Sequence, residues 1–213
     1  MIGKEPEFVN GLRVTDQETV EVVEMVLTGK VNKSIVSDLH KQGMKAVGIS
    51  GKDGQLIRAR KMLSDGHDIG FVGEIEHVDP EILHTLINDG FIPIISPLGG
   101  DLEGNTYNVN ADYAAVAIAG ALKAHKLVFL TDVEGVLKDV NDKNSVISIL
   151  KASEAEKLIE QKVISGGMIP KVECCLKAIK EGVKTVHIID GRLEHSLLLE
   201  IFTHDGIGTI VEE

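Results

Sequence analysis

Strand-length apolar runs alternate with helix-period segments along most of this chain, and that alternation restricts the fold more than any other feature. Residues 44–50, 91–98, 126–131 and 183–189 are short, apolar and bounded by glycine, proline or polar residues, the pattern of buried strands. Between them, apolar residues recur at helical spacing. Val20, Val23 and Leu27 follow a Thr15/Glu18 capping-box pattern and predict a helix ending near Gly29, and Ile35, Val36 and Leu39 predict a second ending at Gly43. Asp79-Pro80 opens a helix carrying Ile82, Leu83, Leu86 and Ile87 up to Gly90. An alanine-rich helix is expected to about Ala124, one capped by Ser153 and Glu156 to about Gln161, and one over 194–202. Residues 55–62 and 71–78 read as further strands around the turn at 51–54, and 208–211 as a last one. The expected architecture is α/β, a mainly parallel sheet sandwiched by helices. Two lobes are expected, 1–124 and 125–213.

Composition narrows the partners. The 213 residues carry 22 Lys and Arg against 33 Asp and Glu, a formal charge of −11, with no basic run able to track a phosphate backbone, so nucleic acid is not an expected partner. A 43% apolar content is ample for a core. The densest apolar stretch, 114–122, is cut short by Lys123, so no membrane span or membrane partner is expected. Cys174 and Cys175 are adjacent, which suits neither a disulfide framework nor metal-ligand spacing, and they read as reduced, packed thiols of a cytoplasmic protein. The eight histidines form no His-Glu-x-x-His pair, and no metal centre is expected.

The chemistry concentrates in Ser165-Gly166-Gly167-Met168-Ile169-Pro170-Lys171. Two glycines let backbone approach a ligand, and Pro170 suits a first helical turn. Val172, Leu176, Ala178 and Ile179 then recur at helical spacing until Gly182. Lys171 therefore lies in the first turn, where the helix dipole disfavours a cation unless an anion meets it. A phosphate site accounts for that mismatch; an ordinary turn with a solvated lysine is the alternative. Gly29-Lys30 and Gly51-Lys52 lack the remaining residues of a P-loop, and no Gly-x-Gly-x-x-Gly follows a strand. Asp132 and its loop, at the carboxyl end of a strand, lie where ligands of such sheets bind. Asn110 or Asp112 is a candidate cap for the helix after Tyr107-Asn108-Val109.

With these segments laid out, the chain resembles the acetylglutamate kinase branch of the amino-acid kinase family. Gly11-Leu12-Arg13-Val14-Thr15-Asp16, Tyr107-Asn108-Val109-Asn110-Ala111-Asp112, Leu130-Thr131-Asp132-Val133 and Gly167-Met168-Ile169-Pro170-Lys171 stand in family order. The resemblance implies phosphorylation by ATP, with Mg²⁺, of the side-chain carboxylate of N-acetyl-L-glutamate in arginine biosynthesis. It implies substrate binding by Arg13 and Asn108, and catalysis by Lys171 with Asp112 orienting lysine. Asp132, Val133, Glu134, Gly135, Val136, Leu137, Val163, Ile164 and Ser165 match segments that hold the nucleotide. His187, Glu200 and Gly206 match positions that contact the effector L-arginine in the inhibited branch, and a homo-oligomer is implied for the full-length protein. Family members begin with a βαβ unit carrying Lys-x-Gly-Gly and His-Gly-Gly-Gly, which these residues do not contain. The expectation is therefore an N-terminally truncated amino-acid kinase fold with impaired activity. An aspartokinase or uridylate kinase type, or a non-catalytic remnant binding nucleotide or arginine, are the alternatives.

Overall fold

The computed structural model describes residues 8–9, 12–139, 141–142, 145–203 and 206–213, the first four of them as backbone only. The chain divides into two compact units, Met1–Ala114 and Ala115–Glu213. Their division falls inside a helix, where the sequence reading has its lobe boundary at Ala124. Val116 and Ala119 belong to the core cluster of the second unit, which accounts for the earlier position.

In the first unit, β1 (Phe8–Val9) and β2 (Leu12–Arg13) pair antiparallel. The extended stretch expected from Gly11 begins outside the described residues. Helix α1 (Gln17–Glu24) starts one residue later than the capping-box pattern suggests. Asp16 is the cap, its Oδ1 accepting the Thr19 N–H at 2.9 Å. Thr15 is instead fully buried, donating its N–H to Ile69 O and accepting from Phe71 N. Nor does the helix stop at Gly29: a π-helical segment, Met25–Val31, runs directly into α2 (Asn32–Lys41). A single glycine weakens a helix by only about 1 kcal/mol, too little to break one held at both sides. The expected stop at Gly43 holds, with φ +77° just past the end.

β3 (Ala46–Ser50) and β6 (Ile92–Ser96) form a parallel pair, separated in sequence by β4 (Ile57–Ser64), β5 (His67–Val78) and α3 (Glu81–Asn88). β4 and β5 make a long antiparallel hairpin that closes into a small barrel with β7 (Leu98–Gly100) and β8 (Thr106–Val109). Leu56, Ile57, Ala59, Ile69 and Leu98 are buried at this barrel. Helix α4 (Ala111–Ala121) follows.

The second unit is built on a four-stranded sheet of order β10-β12-β11-β9. β9 (Lys126–Thr131) and β11 (Thr185–Asp190) are parallel; β12 (Thr209–Glu212) runs antiparallel to β11 and parallel to β10 (Ile149–Lys151). The α/β architecture stands, with mixed sheets. Helix α5 (Ala152–Glu160) begins at an extended Lys151, so Ser153 lies inside it instead of capping it. The β10 strand runs straight into this helix and leaves no residue for a separate cap. Helices α6 (Met168–Lys180) and α7 (Ser196–Phe202) complete the unit. Val172, Cys175, Ala178, Val186, Ile188 and Val211 are fully buried in it, each large aliphatic side chain contributing about 1.5–3 kcal/mol. Cys174 and Cys175 are buried on α6 and not joined in a disulfide. Among the described residues no helix is long and apolar enough to cross a membrane.

Candidate functional site

Parallel pairing brings two strand ends side by side in the second unit, Thr131 opposite Asp190. The chain leaves β9 through a tight loop that several bonds define. The Thr131 hydroxyl donates to Val133 O at 3.0 Å and accepts from Val133 N at 3.2 Å. The Val136 N–H donates to Thr209 Oγ1 at 2.8 Å, and Leu137 bridges to Val146. Gly135 has φ +151°, and a Cβ there would stand 2.7 Å from Thr209 Oγ1. Only glycine fits that position.

The second loop precedes α6. Just past the end of α5, Lys162 takes φ +59°, and Val163 and Ile164 both donate to Leu158 O. Gly166 takes φ +56°, Met168 donates to Ser165 O and Ile169 to Gly166 O, each at 3.2 Å. Pro170 has no N–H to offer. The Met168 and Ile169 amides are thus engaged and Pro170 has none, so this helix start offers little backbone cradle, and Lys171 brings a positive charge to it.

The two loops enclose one cavity of about 350 Å³. It is lined by Asp132, Val133, Glu134, Gly135, Val136 and Leu137 from the first loop, and by Val163, Ile164, Ser165, Gly167, Met168 and Lys171 from the second. The nine residues expected at the nucleotide and the expected catalytic lysine therefore share one space. Mostly apolar walls with one lysine and two acidic residues are the make-up of a small-molecule site.

Two contributors escaped the sequence reading. Thr209, which holds the Val136 amide, lies 73 residues away, and no local pattern announces such a partner. Arg192 donates from Nε and Nη2 to the two oxygens of Asp190, both at 2.9 Å, beside the same strand ends. Its pKa is raised by the bonds to Asp190 and by that carboxylate's charge, with further help from Glu134 and Asp132.

In the first unit, Asn108 lies on β8 opposite Val72 of β5 and Leu98 of β7. Arg13, described as backbone only, lies two residues before Thr15, which bridges to Gly70 of the same strand β5. Asn110 takes the capping role on α4, its Oδ1 accepting Asp112 N at 2.9 Å and Tyr113 N at 3.2 Å. Asp112 is consequently not the cap.

His187, Glu200 and Gly206 also come together. His187 Nδ1 lies 2.6 Å from Glu200 Oε1, and both side chains are buried. Glu200 Oε2 accepts Ile207 N at 2.8 Å and Gly208 N at 3.3 Å, and a Cβ on Gly206 would stand 2.8 Å from that oxygen. Burial pushes the Glu200 carboxyl up, but the His187 ring and the Ile207 amide outweigh it and hold the pKa below the usual carboxylate range.

The amino acid kinase family profile matches residues 2–190. Acetylglutamate kinase from Caldanaerobacter subterraneus subsp. tengcongensis is 59% identical over 210 residues, 99% of this chain and 70% of that protein. The structure of N-acetylglutamate synthase from Neisseria gonorrhoeae complexed with coenzyme A and N-acetyl-glutamate is similar at a TM-score of 0.86 and 30% identity, covering 99% of this chain and 47% of that one. The same synthase complexed with coenzyme A and L-arginine is similar at 0.78 and 27%, covering 99% and 49%.

Proposed function

This chain belongs to the amino acid kinase family, and from that premise we propose that it transfers the γ-phosphoryl group of ATP to the side-chain carboxylate of N-acetyl-L-glutamate, forming an acyl phosphate on the route to arginine. The observation that carries the reading is the cavity of the second unit, where Lys171 shares one space with loops 132–137 and 163–165. Residues 1–124 then serve the amino-acid substrate and 125–213 the nucleotide.

A side-chain carboxylate has an ordinary pKa near 4.3 and is ionised at neutral pH, so the nucleophile needs no general base. A carboxylate oxygen attacks the γ-phosphorus, the bond from that phosphorus to the β,γ-bridging oxygen breaks, and ADP leaves with the electron pair. The difficulty is charge: an anion must approach a polyanion. Lys171 meets the charge on the transferring group, and Asp112 acts as a positioning residue for lysine. Arg13 presents a planar fork to the substrate's other carboxylate, and the Asn108 amide adds a hydrogen bond. Asp132 and Glu134, which line the cavity, would be the residues to hold a Mg²⁺ ion brought with the nucleotide, and that ion would supply neutralisation of the phosphate charge.

Trapping the acyl phosphate as its hydroxamate tests the reading. The expected product requires both ATP and N-acetyl-L-glutamate, and Lys171→Ala lowers turnover by about 100-fold or more, the scale of losing a charge-stabilising donor. Equal turnover in Lys171→Ala, or preference for aspartate or a nucleoside monophosphate as acceptor, would overturn it. L-arginine as an effector at His187, Glu200 and Gly206 is a second reading, favoured by their clustering. Calorimetric titration with L-arginine that gives no heat removes it.

A further inference from the structure

Arg58 lies in the barrel of the first unit at a register shift in β4, opposite Gly100 of β7 and His77 of β5. The ladder is interrupted immediately after Arg58. The Arg58 side chain lines a cavity of about 90 Å³ together with Lys52, Gln55, Gly100, Asp101 and Asn105. Its Nε is buried and has no hydrogen-bond partner among the described residues. A guanidinium stays charged at any physiological pH, and a buried charged donor without an acceptor is a costly arrangement.

The carboxylate of the cavity wall, Asp101, is committed elsewhere. Asp101 Oδ1 accepts the N–H groups of Glu103 and Asn105, both at 2.9 Å, and its Oδ2 accepts Asn105 Nδ2 at 2.7 Å and the Tyr107 hydroxyl at 2.9 Å. Four donors fill the positions of one carboxylate. Lys52 Nζ donates to Glu24 Oε1 at 2.7 Å and to Thr106 Oγ1 at 2.6 Å, which accounts for two of an ammonium's three donors. The cavity wall therefore carries two cations, Arg58 and Lys52, beside one carboxylate whose acceptor positions are filled by other donors. Its volume is well above the roughly 10–15 Å³ that one water needs, and well below the roughly 300 Å³ at which pockets for larger ligands begin.

We propose that this cavity binds a small oxyanion, a carboxylate or phosphate group, gripped by Arg58 with Lys52 as the second cation. Its residues are separate from those lining the cavity of loops 132–137 and 163–171. A guanidinium fork matches either kind of oxyanion in two bonds, so the test must separate them.

The experiment follows the Arg58 Nε–H resonance of the nitrogen-15-labelled chain, assigned by its loss in Arg58→Gln, or in Arg58→Lys should the glutamine variant not fold. Inorganic phosphate and acetate are titrated in turn at constant ionic strength. A saturable shift of that resonance is expected with one of them, weakened about tenfold in Lys52→Gln while the thermal midpoint of that variant stays close to the parent. Tighter response to phosphate assigns a phosphoryl ligand, and tighter response to acetate a carboxylate one. No saturable movement with either anion, or equal affinity in Lys52→Gln, overturns the proposal.

Discussion

Gly167 is a glycine that its own backbone does not require. It sits at φ −65° and ψ −11°, a conformation any residue adopts, and a Cβ there would meet no protein atom within 4 Å. It nevertheless lines the cavity that holds Lys171. Neither strain nor packing explains the missing side chain, whereas close approach of a ligand does. Gly167→Ala is expected to leave stability within about 1 kcal/mol of the parent, the range of glycine exchanges at compatible positions, and to weaken nucleotide binding about tenfold. Urea midpoints read beside nucleotide calorimetry check both halves; a large stability loss with unchanged affinity would give Gly167 a structural role. Gly135 is the contrasting case, since its positive φ and the nearby Thr209 leave no room for a side chain.

Elements are held by single buried groups, and Glu200 does this for the C-terminal part of the second unit. From α7 it reaches His187 on β11 and the amides of Ile207 and Gly208 just before β12. Glu200→Ala leaves those donors unpaired in a buried place and is expected to cost about 3 kcal/mol or more, since each such group costs about 1–3 kcal/mol. Because the folded-state pKa of Glu200 is depressed, its stabilising contribution is full above the ordinary carboxylate pKa and is lost as pH falls through the folded value. The stability difference between the parent and Glu200→Gln should therefore shrink on acidification. Denaturant titrations across the acid range would detect this, and a difference that grows as pH falls would contradict the assignment.

At the scale of the whole chain there are two compact units, and the cavities of the two proposals fall one in each. Nucleotide bound at the second-unit cavity should slow amide hydrogen exchange in 132–137 and 163–171, with little change along the barrel strands β4, β5, β7 and β8. Exchange followed by mass spectrometry reads this directly. Protection centred on the barrel would place the nucleotide elsewhere.

The alternation of apolar runs and helical periods made the α/β class legible, and Ser165–Lys171 with Asp132–Leu137 could be picked out because turn glycines, a helix start and a strand end leave marks within a few residues. Helix caps were readable only to within a residue or two: Asp16 and Asn110 are the caps, while Thr15 is committed to β5. What no local pattern carries is the partner at long range. The barrel closure of β4 on β7, the antiparallel seat of β12, the hold of Thr209 on Val136 and the burial of the Arg58 Nε without a partner among the described residues all depend on which residues meet after the chain has folded back. Periodicity and turn chemistry are properties of neighbours in sequence and survive in the unfolded chain. The filling of a donor, or the sharing of one cavity by two distant loops, is a property of neighbours in space and is settled by tertiary packing alone.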